Sequence, residues 1–193
     1  MGSAARLYAR VVACCRMFCL LLVIVGLAGC GGENAAEPAP EAPPGIELTS
    51  PAFEAGGAIP RDYGCDGAEL SPPLAWDEVP VAAESLVLLM EDPDAPDGTF
   101  VHWTVYGISP TTDRFLEGEA PAGSLEGENS FGDEGYGGPC PPEGDTAHRY
   151  VFALYALRSE PDLARGAKPD EVHEAIEEQA IARGRLVGTF KRG

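Results

Sequence analysis

The chain has 193 residues and a formal charge of −18, from 31 acidic against 13 basic side chains. A surface that acidic repels phosphate backbones and anionic lipid headgroups, which argues against nucleic acid as a partner and against membrane attachment through basic patches. Once its atypical N-terminal segment is set aside, the length suits one domain with a single core.

Arg6, Arg10 and Arg16 precede the apolar run MFCLLLVIVGLAG, which meets Cys30. A basic start, an uncharged core and a small-residue exit describe an export signal over residues 1–29, its core shorter than the ~20 residues a spanning helix requires. The exit, Leu27 to Cys30, resembles the bacterial lipobox, in which the cysteine thiol is acylated and the chain is cut just ahead of it. Cys30 then becomes a lipid-bearing first residue, and the glycine after it points to the periplasmic side of an outer membrane where the cell has one. Removing residues 1–29, which carry three arginines and no acid, takes the charge from −18 to −21. Of the six cysteines, Cys14, Cys15 and Cys19 leave with the signal and Cys30 takes lipid. Cys65 and Cys140 remain, and in an exported protein they most simply form one disulfide.

Residues 31–45, GGENAAEPAPEAPPG, hold no large apolar side chain. With Cys30 they read as a lipidated cysteine and flexible Ala/Pro/Glu tether, residues 30–45, that buries nothing, ahead of a folded domain over 46–193. Short β-rich runs follow, separated by proline and glycine clusters, the pattern of a mainly β sandwich. The clearest strands are 85–90, 99–108, 150–157 and 185–190, with weaker signals at 46–53 and 74–76. Along 99–108, alternation places Phe100, His102, Thr104 and Tyr106 on one face and Val101, Trp103 and Val105 on the other. Residues 117–146 are rich in glycine and proline, and a loop of about thirty residues inside a compact domain points to function. One C-terminal helix is expected over about 169–183: Pro169 suits the first turn, Val172, Ala175, Ile176 and Ala180 share a face, and Gly184 ends the run. Glu171, Glu174, Glu177 and Glu178 take its wet side, and His173 reads as a surface residue.

The stretch EDPDAPDGTFVHW, residues 91–103, concentrates acids and a histidine beside a strand. As a calcium loop counted from Asp92 it fails, because Asp97 falls at position 6 and Trp103 at position 12. Zinc would have to draw on His102, His148, Asp92, Asp94 and Cys140 from separate loops, with no short-spaced ligand pair. No serine sits in a nucleophile-elbow pattern, and GDEGYGG lacks the dinucleotide-binding spacing. A pocket for a small polar ligand remains: Pro93 and Pro96 stiffen the segment, and in an extended chain Asp92 and Asp94 point the same way, two carboxylates side by side. Their charge calls for His102, His148, loop N–H groups or a ligand ammonium nearby.

SPPLAW, DPDAP, the following HW, GGPCPPEGDTAHRY and the ending LVGTFKR resemble, in that order, the phosphatidylethanolamine-binding protein family, in particular its bacterial Raf-kinase-inhibitor-like (YbhB/YbcL) branch. The resemblance covers roughly residues 47–192. It implies a sandwich of two antiparallel sheets with few helices and a small pocket for anions such as phosphate or a phosphorylated headgroup. Carried over by motif, the ligand-binding residues are Asp92, Asp94, Pro96, His102, Tyr136, Gly138, Pro141, Pro142 and His148. A Cys65–Cys140 disulfide would then pin the glycine-rich loop to an early part of the domain. The expected function is non-enzymatic binding of a small anion, with no metal or cofactor, by a lipid-anchored carrier, sensor or inhibitor of a partner protein in the cell envelope. Two alternatives stay open: a hydrolase of small phosphorylated or acyl substrates using His102, His148, Asp92 and Asp94, and a protein-interaction module with a vestigial pocket.

Overall fold

Two runs, SLVLLM and YVFALYAL, lie side by side in the middle of the main sheet, where both faces are covered and nearly every residue is buried. The computed structural model describes residues 39–193. The signal segment 1–29, Cys30 and tether residues 31–38 lie outside the described residues.

In chain order the elements are β1 (Glu47–Thr49), a 3-10 turn (Arg61–Tyr63), β2 (Leu74–Asp77), β3 (Ser85–Asp92), β4 (Phe100–Ile108), β5 (Arg114–Phe115), β6 (Leu125–Glu126), β7 (His148–Leu157), α1 (Pro169–Gln179) and β8 (Ala180–Phe190). A three-stranded sheet, β1-β2-β5, packs on a five-stranded sheet, β6-β4-β3-β7-β8, and all strand pairs in both are antiparallel. Side-chain alternation divides the core. Leu86, Leu88 and Met90 of β3 and Phe152, Leu154 and Ala156 of β7 face the small sheet through Leu48, Trp76 and Phe115. Val87, Leu89, Tyr155 and Leu157 face Val172 and Ile176 of α1.

The helix is shorter than its apolar spacing predicts. Glu171 accepts a hydrogen bond from the Lys168 backbone N–H at 2.8 Å, fixing the start, but the chain turns extended at Ala180 and continues as β8. Ala180 and Ala182 pair with Leu157 and Ala156, so small apolar residues that suit a helix face serve a strand. Gly184 is no helix stop: a Cβ there would meet the Ile46 carbonyl oxygen at 2.8 Å, so it admits a close backbone neighbour.

His173 is buried, which corrects the surface reading: it lies beside Val172 on the packed side of α1, and its Nε2 is 2.9 Å from Glu91 Oε1 at the end of β3. Residues 39–45 do not behave as a free tether either. Ala39 and Ala42 pack on the helix-side core, Tyr155 donates its O–H to the Pro40 carbonyl, and Arg183 donates its backbone N–H to Pro43 and its guanidinium to Glu41. This strap and residues 56–59 occupy the outer edge of β8, which would otherwise present unpaired backbone groups.

Cys65 and Cys140 are disulfide-bonded across a separation of 75 residues. Around them Cys65 N–H donates to the Pro139 carbonyl and Tyr136 donates its O–H to the Tyr63 carbonyl, so the proline-rich loop is stitched to the segment after the 3-10 turn.

Removing His173 leaves the Glu91 carboxylate buried without its partner, so His173→Ala should lower unfolding free energy by about 3 kcal/mol while Glu91→Leu/His173→Leu costs distinctly less. Urea unfolding of the single and double variants checks this; equal losses would show that the pair is not coupled. Replacing both Cys65 and Cys140 by alanine should cost about 2–4 kcal/mol by releasing a long loop in the unfolded chain, measured in the same way.

Candidate functional site

The C-terminal end of β3 and the N-terminal ends of β4 and β7 meet at one end of the large sheet. There the chain leaves β3 by a turn that Asp92 builds itself. Its Oδ1 accepts the Asp94 backbone N–H at 2.8 Å, and its Oδ2 accepts from His148 Nδ1 at 2.8 Å. Asp92 and His148 are both buried. An ionised carboxylate only accepts, so His148 carries its proton on Nδ1, and Nε2, 3.7 Å from Asp145 Oδ2, is left for other contacts.

That turn corrects the expectation of two parallel carboxylates. Residues 93–98 are not extended, and Asp94 points outward, where it accepts from Arg149 at the backbone N–H (2.9 Å), Nε (2.8 Å) and Nη2 (2.6 Å). Those side-chain bonds, ahead of any other cause, hold the Asp94 carboxyl down at about 2. His148 and Arg149, neighbours on β7, therefore draw the two aspartates apart, one inward and one to the surface.

His102 owes its position to a bulge. Val101 pairs with Glu91 and Trp103 with Met90, so His102 is an extra residue in β4. The strict alternation predicted for this strand breaks there: Val101 joins the helix-side core, Trp103 and Val105 the inter-sheet core, and His102 packs edge-on against Tyr150 at 5.2 Å between ring centroids. The Nδ1–H of His102 donates to the Gly137 carbonyl at 2.8 Å, and the Gly137 N–H donates back to the His102 carbonyl at 2.9 Å. Burial pushes the His102 pKa below 6.5, outweighing the Gly137 bond and the Asp92 charge that raise it. In its neutral form the imidazole, with Nδ1 donating to Gly137, leaves Nε2 unprotonated. Beneath it, the buried Tyr150 hydroxyl has no hydrogen-bond partner among the described residues, and burial followed by the nearby Asp92 charge raises its pKa well above 10.

These groups surround a cavity of about 370 Å³. Of the residues singled out from sequence, Asp92, Pro96, His102, Pro141, Pro142 and His148 line it, as does Cys140. Asp94, Tyr136 and Gly138 do not. Tyr136 packs on Trp103 and reaches Tyr63, while a Cβ on Gly138 would meet the Tyr63 carbonyl oxygen at 2.7 Å, so both hold the loop from behind. The sequence reading missed Ala95, Asp97, Gly98, Thr99, Phe100, Ser130 and Phe131, which complete the wall. Phe100 carried a signal, two residues before His102; the pair 130–131 lies in an aperiodic loop and carried none. None of the lining residues is lysine or arginine, and no group of three or more His, Cys, Asp or Glu among the described residues is placed to hold a metal ion.

Comparison with known proteins agrees with this architecture. The family model for phosphatidylethanolamine-binding protein matches residues 49–191. A UPF0098 protein of Methanothermobacter thermautotrophicus is 44% identical over 153 residues, covering 77% of this chain and 100% of its own. A Mycobacterium tuberculosis protein named as lipoprotein LppC is 40% identical over 188 residues, covering 89% and 92%. Among solved structures, the phosphatidylethanolamine-binding protein homologue CT736 of Chlamydia trachomatis superposes with TM-score 0.72 at 41% identity, and E. coli YbcL with 0.73 at 28%; each comparison covers 77% of this chain and 99% of the other. With the family model and relatives above 40% identity spanning the whole folded region, this chain belongs to the phosphatidylethanolamine-binding protein family.

Proposed function

We propose that the cavity holds a small anion of the phosphate or phospho-headgroup type and that the protein works by binding it, without catalysis, as a carrier, sensor or inhibitor of a partner protein in the cell envelope. One observation carries this reading: two buried imidazoles, His102 and His148, each spend Nδ1 on a fixed acceptor and keep Nε2 for whatever enters. A fully ionised anion oxygen only accepts hydrogen bonds, so an Nε2 that meets one must bear a proton. Since Nδ1 already bears one, that ring becomes an imidazolium, a donor of matching charge. Asp97 on the wall and Asp145 beside His148 offer carboxylates to an ammonium carried by the same ligand.

The hydrolase reading has one feature in its favour, the Asp92–His148 pair, which has the form of an oriented general base. The serine on the wall, Ser130, instead accepts the Val101 N–H at 2.9 Å and makes no hydrogen bond to either histidine. Binding is therefore the reading the geometry favours.

The sign of the pH dependence follows from His102. Its folded pKa lies below the unfolded value, so it contributes stability above about pH 6.5 that is lost as pH falls through the folded value. A bound anion favours the protonated ring and opposes that loss. Anion affinity should accordingly fall as pH rises above 6.5, by up to about tenfold per pH unit where one proton is taken up. Imidazole NMR signals of His102 and His148 followed during titration with phosphate, phosphoethanolamine and sulfate, at several pH values, test this. Sulfate keeps its charge across the range and isolates the histidines. Unshifted signals at millimolar anion would reject the pocket reading, and turnover of the phosphate ester would favour the hydrolase.

For location, we propose export and lipid attachment through Cys30, supported by the lipobox-like LAGC and by a relative named as a lipoprotein that aligns over most of the chain. Metabolic labelling with a radioactive fatty acid should mark the native chain and not Cys30→Ala, which should leave the membrane fraction. An unlabelled native chain would overturn the anchor.

A further inference from the structure

We propose that Phe131 determines specificity at this cavity, and that the ligand joins its anionic group to a compact apolar group that covers the Phe131 ring. The inference rests on the anion reading above and narrows it to a class of ligand. Phe131 is 50% exposed although it lines the cavity. An exposed phenyl ring on a loop tip is ordinary when the loop is mobile, but this loop is locked. Asn129, only 3% exposed, accepts the N–H groups of Phe131 and Asp133 at its Oδ1 and donates from Nδ2 to the Gly135 carbonyl. Ser130 is held to Val101 through both its N–H and its hydroxyl.

The fold also makes room for the ring. A Cβ on Gly137 would fall 2.6 Å from Phe131 Cδ2, so the residue whose carbonyl sets the His102 tautomer must lack a side chain for Phe131 to sit where it does. Placed there, the ring stands edge-on to Phe100 at 4.6 Å and to His102 at 5.5 Å between centroids. The cavity wall therefore combines polar groups, Asp92, His102 and His148, with an apolar patch of Phe100 and Phe131 beside His102. Size argues the same way. At ~30 Å³ for a water-sized group, about 370 Å³ has room for roughly a dozen non-hydrogen atoms. Phosphate alone fills less than half of that, which leaves space for about one six-membered ring. Pockets that combine an apolar wall with a few convergent polar groups hold ligands of that mixed character.

Phenyl phosphate and inorganic phosphate, titrated by calorimetry into the intact folded protein, separate the possibilities. Phenyl phosphate should bind about tenfold more tightly, the gain expected for covering and stacking on one exposed aromatic face. Phe131→Ala should abolish that preference, read as the ratio of the two affinities within the same variant, and Phe131→Tyr should keep it. Equal affinities of the native protein for the two ions overturn the inference and leave the anion reading standing. A preference that survives Phe131→Ala, with the variant unfolding as the native protein does, overturns the assignment to Phe131. Failure of both ions to bind removes the anion reading and the inference together.

Discussion

The Asp92 carboxylate is the group on which the rest of the site depends. It is buried at the end of a central strand, where an unpaired charge would be expensive, and it is satisfied by the Asp94 N–H on one oxygen and His148 Nδ1 on the other. The first bond folds the acidic segment back as a turn, placing Pro96 and Asp97 on the cavity wall. The second joins the ends of two paired central strands and fixes which nitrogen of His148 is free. Burial first, and the same charge second, raise the Tyr150 pKa and keep its phenol neutral beside His102. A substitution at Asp92 would thus change a turn, a tautomer and a local field together, whereas Asp94, two residues later, is bound to a surface arginine and acts on the cavity only through the turn.

Strand alternation makes use of the neighbouring acid as well. Asp92 faces the cavity and Glu91 faces α1, and each meets one histidine: His148 from β7 and His173 from the helix. Two carboxylate–imidazole contacts on opposite faces of β3 therefore tie its end to the neighbouring strand β7 and to the helix α1. The 39–45 strap passes the same region, since Glu41 and Arg183 line a small cavity with Glu91. The end of the sheet that carries the site is in this way held from the front by the disulfide-linked loop and from behind by helix and strap.

What was legible in the sequence followed burial. The two central strands are covered on both faces, so their apolar runs stand out in composition alone, and the proline-bounded acidic stretch marked a wall of the cavity. The failures share a physical cause: each concerns a residue whose role is set by a partner distant in the chain. Ala180 and Ala182 suited a helix until β7 offered them an edge; His173 looked solvated among glutamates because Glu91 lies 82 residues away. The bulge at His102 is also invisible locally, since only the register with β3 reveals an extra residue. Phe131 lay beyond reach for a similar reason: its exposure depends on Asn129 and on the missing side chain of Gly137, neither of which forms a periodic pattern.

The absence of lysine and arginine from the cavity wall, on a chain with 31 acidic residues, constrains how an anion would be held there. The outer field opposes its approach, so little is gained from long-range steering, and affinity must come from groups that act only at contact. Imidazoles suit that requirement, because Asp92 and Gly137 orient them beforehand and a proton on Nε2 makes each ring a donor of matching charge. A guanidinium would bind many anions at any pH. A pair of buried imidazoles would, on the proposed reading, tie occupancy to proton availability. On the proposed reading, selectivity then comes from shape and from the apolar wall rather than from charge, and the acidic exterior acts as a filter against anions that bring nothing else to the contact.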